Sequence, residues 1–169
     1  MAVTINGSGP ITGLTTIASP TTINGVTLPT TGFGKILQIV RATDETRRTT
    51  TSLSFVDGSI SVTITPQKDT SNIILIHQCV SSQGVSGTRY ASVQITDSSN
   101  TALSGAQDNI FGINTTTSVY HVLTQIGYAS PATTSAVTYK VRFKSDSGTT
   151  VGLENASSTG QLFAIEVSA

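Results

Sequence analysis

Strict alternation of apolar and polar residues runs through the stretch Ser59-Ile60-Ser61-Val62-Thr63-Ile64-Thr65. Successive side chains of a β-strand point to opposite faces of the sheet. This spacing therefore places Ile60, Val62 and Ile64 on one face and the hydroxyl side chains on the other. Pro66 follows directly and ends the strand, because proline has no N–H to donate to a neighbouring strand. The stretch predicts a half-buried strand with its three β-branched residues inside.

Comparable strands are predicted along the rest of the chain. They cover residues 35–41, 73–80, 89–95, 118–126, 137–143, 149–153 and 161–167. The strand at 137–143 has an inward row of Val137, Tyr139, Val141 and Phe143. The strand at 73–80 is apolar on both faces at its start, which is typical of a central strand.

Two of these strands carry more specific expectations. In the strand at 118–126, the side chains of Tyr120, Val122 and Ile126 share one side. In the last strand, Phe163, Ile165 and Val167 are expected to form the inward row. Residues 101–117 show only a weak pattern, and no strand is predicted there.

The composition agrees with an all-β fold. Charged residues make up 11% of the chain, against roughly 25% in ordinary soluble proteins. Ser and Thr supply about 30% of the residues, and threonine fits a pleated surface better than a helix interior. About eight short strands with turns between them, such as Asp97-Ser98-Ser99-Asn100, and no convincing helix predict an antiparallel β-sandwich. We expect jelly-roll-like wiring, although the pattern does not determine the strand order.

The first 34 residues read differently from the rest. Thr4-Ile5-Asn6-Gly7 returns as Thr22-Ile23-Asn24-Gly25, and glycine or proline interrupts the apolar residues throughout. Such a segment has no core of its own, yet it is too apolar for a solvated linker. We predict an extended N-terminal attachment arm over residues 1–34 and a β-sandwich knob over residues 35–169. The candidate anchor residues are Ile5, Ile11, Leu14, Ile23, Val26 and Leu28.

The charge and the apolar segments of the chain limit the classes of function. The formal net charge is +0, from nine basic and nine acidic residues, and Arg47-Arg48 is the only adjacent basic pair. Without a basic stripe interleaved with aromatics, nucleic-acid binding is not expected. No apolar segment is long enough to span a bilayer and no signal peptide is evident, so membrane insertion is not expected either.

No motif for catalysis or cofactor binding stands out. His77 and Cys79 share a strand face, which permits a metal pair, but a histidine packed in a core or interface is the favoured interpretation. No Gly-x-Ser-x-Gly elbow or phosphate-binding loop occurs, and Asp44-Glu45 are the only neighbouring carboxylates. We therefore expect no catalytic residues, no metal and no cofactor, and thus no enzyme.

Four stretches carry a resemblance to a known family of proteins. They are Met1 to Gly13, Gly34 to Val40, the pair Ser61 to Pro66 with Ser71 to Ile76, and Gly160 to Val167. Together they resemble the small fibre, knob and capsid-decoration proteins of tailed bacteriophages, especially those of aquatic bacteria such as cyanobacteria. The resemblance spans nearly the whole chain. It implies a trimeric β-sandwich knob on an N-terminal attachment segment, with no catalytic residues.

These observations favour a non-enzymatic structural protein of the virion. We expect a short homotrimeric tail or head fibre that is made in the host cytoplasm and released by lysis. Its arm would dock onto capsid or tail proteins. Loops on the knob could then bind a host surface glycan or protein. The candidate receptor residues are Ser81, Gln83, Asp97, Asn100, Asp108 and Asn109.

Two alternatives stay open. A capsid decoration or cement protein would use the same arm to bridge capsid subunits, and its loops would face solvent. A more distant alternative is a carbohydrate-binding lectin of the jelly-roll type. A lectin would need an aromatic platform, and the chain has no Trp.

Overall fold

The computed structural model describes residues 22–23, 26–27, 35–84, 88–114 and 117–168. Backbone contacts divide the chain into two units, Met1–Phe33 and Gly34–Ala169. In the first unit, β1 (Thr22–Ile23) and β2 (Val26–Thr27) pair antiparallel.

The second unit contains ten strands among its described residues. They are β3 (Ile36–Asp44), β4 (Arg48–Thr50), β5 (Val56–Ile64), β6 (Asn72–Gln83), β7 (Thr88–Asp97), β8 (Asn109–Asn114), β9 (Val119–Ala129), β10 (Val137–Ser145), β11 (Val151–Leu153) and β12 (Gly160–Val167). All of their pairings are antiparallel. The all-β prediction is confirmed.

Eight long strands pair as a nested hairpin. In chain order, the first pairs with the last (β3 with β12), and the second with the seventh (β5 with β10). The third pairs with the sixth (β6 with β9), and the fourth with the fifth (β7 with β8). Two further pairings, β12 with β6 and β10 with β7, close the nested strands into two sheets. This is the eight-stranded double-sheet wiring of a jelly roll.

The two sheets contain different strands. One has the order β5-β10-β7-β8 and the other β3-β12-β6-β9, with the short strands β11 and β4 added beside the far end of β6. Their facing sides form one buried hydrophobic cluster. Ile60, Val62 and Ile64 of β5 are at most 2% exposed, as the alternation predicts.

The inward row predicted for the last strand is wrong. Leu162, Ala164 and Glu166 of β12 face the core and are fully buried, whereas Phe163 and Ile165 lie half-buried on the opposite side of the sheet. Both alternating sets contain apolar side chains, so a period of two cannot tell which set faces inward. The carboxylate of Glu166 also misleads, because a charged residue is seldom expected in a core.

Hydrogen bonds explain why Glu166 is tolerated at a buried position. The Gln38 amide donates to its carboxylate at 2.6 Å, and the backbone N–H of Gln67 donates at 2.8 Å. Burial alone would raise the pKa of this carboxyl group, but the hydrogen bonds to its charged form lower the pKa below the ordinary value. Glu166 thereby fastens the segment after β5 to β3 and β12.

His77 lies at the centre of the core. It stands on β6 between Gln125 of β9 and Leu162 of β12, and its side chain is fully buried. Neither of its ring nitrogens has a hydrogen-bond partner among the described residues. Burial lowers the pKa of His77 from 6.5 to about 4, so the imidazole is neutral at pH 7. Cys79 shares this face, and burial raises the pKa of its thiol to about 12.

This burial makes the stability of the knob depend on pH. Below about pH 6.5 the unfolded chain binds a proton at His77 that the folded chain does not bind, so acid favours unfolding. The full contribution to stability is present above pH 6.5 and is lost as the pH falls toward 4. In urea unfolding, we expect the loss due to His77 to reach about 3 kcal/mol. His77→Leu should lose correspondingly less stability over the same pH range.

The matched control is His121→Leu, which removes the other histidine and keeps His77. It should retain the acid loss that is due to His77. Equal losses in the wild type and in His77→Leu would show that His77 is not the group responsible.

Candidate functional surfaces

The anchor residues predicted from the sequence cannot be placed against a partner. Ile23 and Val26 lie in β1 and β2. Their side chains, and all of Ile5, Ile11, Leu14 and Leu28, lie outside the described residues.

Two receptor candidates are not in a loop. The sequence interpretation ended the third long strand at Val80, but β6 continues to Gln83. Ser81 and Gln83 pair with β9 on one side and with β11 on the other, and both are at most 1% exposed. They cannot contact a receptor in this fold. Their polar side chains suggested a loop, whereas pairing on both sides encloses them.

Asp97 and Asn100 do form an exposed turn. Asp97 ends β7, and its carboxylate oxygen Oδ1 accepts the backbone N–H groups of Ser99 and Thr101, each at 2.8 Å. Asn100 is exposed, with φ at 70°, a conformation that asparagine adopts more readily than most residues. Asp108 is exposed, and Asn109 begins β8, with its side chain outside the described part.

A cleft of about 500 Å³ lies beside this turn. Its walls come from the end of β7 and the chain after it, and from the segment between the end of β9 and the start of β10. They include Asp97, Ser104, Ser130 and Thr138. Several of these groups already have partners. The Ser130 hydroxyl donates to Asn72 at 2.7 Å, and the Thr138 and Thr63 hydroxyls lie 2.8 Å apart. Tyr139 lines the cleft but is nearly buried, and burial with the nearby Asp97 charge raises its pKa to about 12.

Charged residues gather at the opposite end of the β6–β9 pair. The two oxygens of the buried Glu154 carboxylate each lie 2.8 Å from Nε of Arg47 and share its single N–H, and Oε1 also accepts a hydrogen bond from the Ser82 hydroxyl. Beside them, Asp44 pairs with Arg48 at 3.3 Å. These contacts join the turn after β3 to the segment after β11. These charged groups pair with one another, as expected for contacts that hold two segments of the chain together.

The outer side of the larger sheet carries a broad apolar surface, called here the outer apolar face. Its residues are Ile39 of β3, Phe163 and Ile165 of β12, Ile74, Ile76 and Val80 of β6, and Tyr120, Val122, Ile126 and Tyr128 of β9. The register aligns them in rows that cross the sheet. One row runs Ile39, Ile165, Ile74, Tyr128, and the next continues from Arg41 through Phe163, Ile76, Ile126. Beyond a row of polar residues, Val80 and Val122 lie opposite each other and form a third, shorter apolar row.

Exposure confirms that this surface is not part of the core. Val122 is 72% exposed, Tyr120 64%, Ile126 57% and Ile39 57%. In the rows formed by the described residues of these four strands, Arg41 carries the only charge. Its guanidinium lies 5.7 Å from the centre of the Phe163 ring and so extends the same surface. The sequence predicted that Tyr120, Val122 and Ile126 share one side of their strand, and in the structure that side belongs to the outer apolar face.

The outer side of the smaller sheet differs in composition. Ser59, Ser61 and Thr63 of β5 are exposed there, and Lys140 and Arg142 of β10 stand beside them, half-buried. One side of the sandwich therefore has the composition of a solvated surface and the other the composition of an interface.

The described residues contain no group of three or more His, Cys, Asp or Glu side chains that could hold a metal ion. Within the same part of the chain, no helix has the length and apolarity needed to cross a bilayer.

No family model matches the chain, and no curated protein matches it. Among solved structures, the chain is similar to two of infectious bursal disease virus. For the Gx strain the identity is 14% and the TM-score 0.22, over 90% of this chain and 42% of that chain. For the Gt strain the values are 13% and 0.22, over 90% and 47%. This chain thus spans less than half the length of either matched chain, and the likeness to these virus structures is weak.

The contacts of Asp97 predict a structural role for its carboxylate at the rim of the cleft. Asp97→Ala removes the acceptor of two backbone N–H groups and should lower the free energy of unfolding by about 1–2 kcal/mol. Asp97→Asn keeps an oxygen acceptor and should stay close to the wild type. Urea unfolding of the three proteins measures both effects. Equal losses in the two variants would mean that the negative charge, rather than the acceptor, supports the turn.

Proposed function

We propose that this protein is a non-enzymatic structural component of a virus particle, a short homotrimeric fibre of a tailed phage. Its arm, residues 1–34, attaches to capsid or tail proteins, and its jelly-roll knob projects from the particle. The observation that carries the proposal is the outer apolar face, which gives a self-contained sandwich a surface suited to assembly.

The composition of the arm supports an attachment role. Residues 1–34 contain no Asp, Glu, Lys or Arg, while they include the repeated Thr-Ile-Asn-Gly and the six anchor candidates. A segment without charges can lose its water against a protein surface without leaving an ion unpaired. The resemblance of the opening and closing stretches to small phage fibre and knob proteins points the same way.

The cleft beside Asp97 and Asn100 supports a further role in host adhesion. It lies where chain connections meet at one end of the sandwich, and hydroxyl groups and a carboxylate line it. Such groups can form hydrogen bonds with a surface glycan or a protein loop. None of its lining residues belongs to the outer apolar face, so adhesion and assembly would use separate surfaces.

The attachment role predicts that charges on the apolar residues of the arm prevent incorporation into particles. In the full-length chain, Ile11→Asp, Leu14→Asp and Leu28→Asp together place three carboxylates where apolar contacts are proposed. We expect this variant to remain folded and to be absent from purified particles by quantitative mass spectrometry.

The control Thr12→Asp, Thr15→Asp and Thr30→Asp adds the same charge and keeps the apolar residues. It should be incorporated at the wild-type level. Normal incorporation of the first variant would refute the attachment role of these residues.

Copy number distinguishes the fibre from a decoration protein of the head. A fibre is present as a few trimers per particle, because it occupies the vertices or the tail. A decoration protein is present in hundreds of copies, because it follows the capsid lattice. We expect a few trimers by quantitative mass spectrometry against the major capsid protein. Hundreds of copies would replace the fibre role with decoration.

A further inference from the structure

We propose that the outer apolar face is the surface through which copies of this chain bind one another. This inference rests on the self-association part of the proposed function and names the residues that carry it. It does not depend on the attachment of the arm to a particle.

The size of the face fits a subunit interface. Its most exposed members are Ile39, Tyr120, Val122, Ile126 and Tyr128, at 47–72% exposure. Together they present on the order of 500 Å², at roughly 150–250 Å² for a fully exposed large side chain. The half-buried Ile74, Ile76, Val80, Phe163 and Ile165 fill the space between them. The whole surface approaches the roughly 800 Å² that each partner buries in a standard protein interface.

The chemistry of the face favours a second copy over a different partner. Interfaces between identical subunits are richer in apolar and aromatic residues than transient ones, and charged residues are depleted at their centres. Here the centre is formed by Ile74 and Ile76 of β6, with Tyr120, Ile126 and Tyr128 on the edge strand β9. The only charge in the rows of the described strands, Arg41, stands on the opposite edge strand, β3, and Arg47 lies within electrostatic reach of Tyr120 at the end of the face. The rows of the described strands contain no carboxylate, so they offer no negative charge that would attract a basic partner.

The position of β9 strengthens the argument. Among the described strands, β9 pairs with β6 alone. On its other edge the described residues meet it near its end, where the Tyr128 N–H donates to the Ser104 carbonyl at 3.0 Å, and no described strand lies along the remainder of that edge. A long, apolar, open edge strand is a liability for a protein that stays alone, because it invites pairing with other chains. Association of copies through this face covers the side chains of β9 and gives its exposed apolar surface a defined partner.

The test is the mass of the full-length chain in solution. Val122→Glu with Ile126→Glu places two carboxylates on the part of the face that β9 contributes. Ser61→Glu with Thr63→Glu adds the same charge to the polar outer side of the smaller sheet. We expect the wild type and the Ser61/Thr63 variant to show three times the monomer mass of 17.5 kDa by light scattering. We expect the Val122/Ile126 variant to dissociate to monomers, with affinity reduced at least about a hundredfold.

Circular dichroism checks that every variant keeps its β structure. If the Val122/Ile126 glutamate variant is unfolded, Val122→Thr with Ile126→Thr replaces it. This milder variant should also weaken association. A monomeric wild type, or a folded Val122/Ile126 variant with unchanged mass, would overturn the inference.

Cross-linking identifies the occupant of the face. A photoreactive residue at position 122 is introduced into isotopically light chains, which are then assembled with heavy chains. We expect cross-links between light and heavy peptides that both lie within residues 35–169. Cross-links from position 122 to residues 1–34 would show that the arm covers the face instead, and would overturn the inference while leaving the virion role open to its own test.

Discussion

Strand β6 holds the larger sheet together through its pairings on both edges. β6 pairs with β9 at eleven successive positions, with β12 along its first half and with β11 at its end. Its inward side chains, from Ile73 through His77 to Cys79, lie across the middle of the core. Because side chains alternate strictly, the same pairing also sets the outward row of Ile74, Ile76 and Val80. One register therefore fixes both the core and the outer apolar face.

The alternation of residues along a strand predicted the strands best where only one of the two alternating sets of side chains is apolar. In β5, isoleucine and valine alternate with Ser and Thr, so both the strand and its inward row were correct. In β12 both sets contain apolar residues, and the row that includes Phe163 and Ile165 was assigned to the wrong side. β8 was not predicted, because Asn109–Asn114 has no alternation to mark it and depends on its pairing with β7. The nested strand order could not be read from the sequence, since each of its pairings joins segments far apart in the chain.

The candidate surfaces were predictable only in part, for a related reason. Polar residues after an apolar run suggested a loop at Ser81 and Gln83, but β9 and β11 enclose them. Asp97 and Asn100 were correctly placed in a turn, because their turn chemistry is local. The outer apolar face did leave a signal, in that the start of the third predicted strand is apolar on both faces. That pattern indicated a central strand, and it could equally have indicated a sheet whose outer side is covered by another molecule.

The two outer sides of the sandwich differ in the residues at their outward positions. On the smaller sheet, the outward positions of β5 carry hydroxyl groups, and solvation of that side costs nothing. On the larger sheet, many outward positions of β6, β9 and β12 carry isoleucine, valine and aromatic residues, whose exposure to water is unfavourable. The buried cluster between the two sheets consists of inward residues, and the outward apolar row contributes no side chain to it. Its presence along three neighbouring strands is therefore best explained by contact with a further surface.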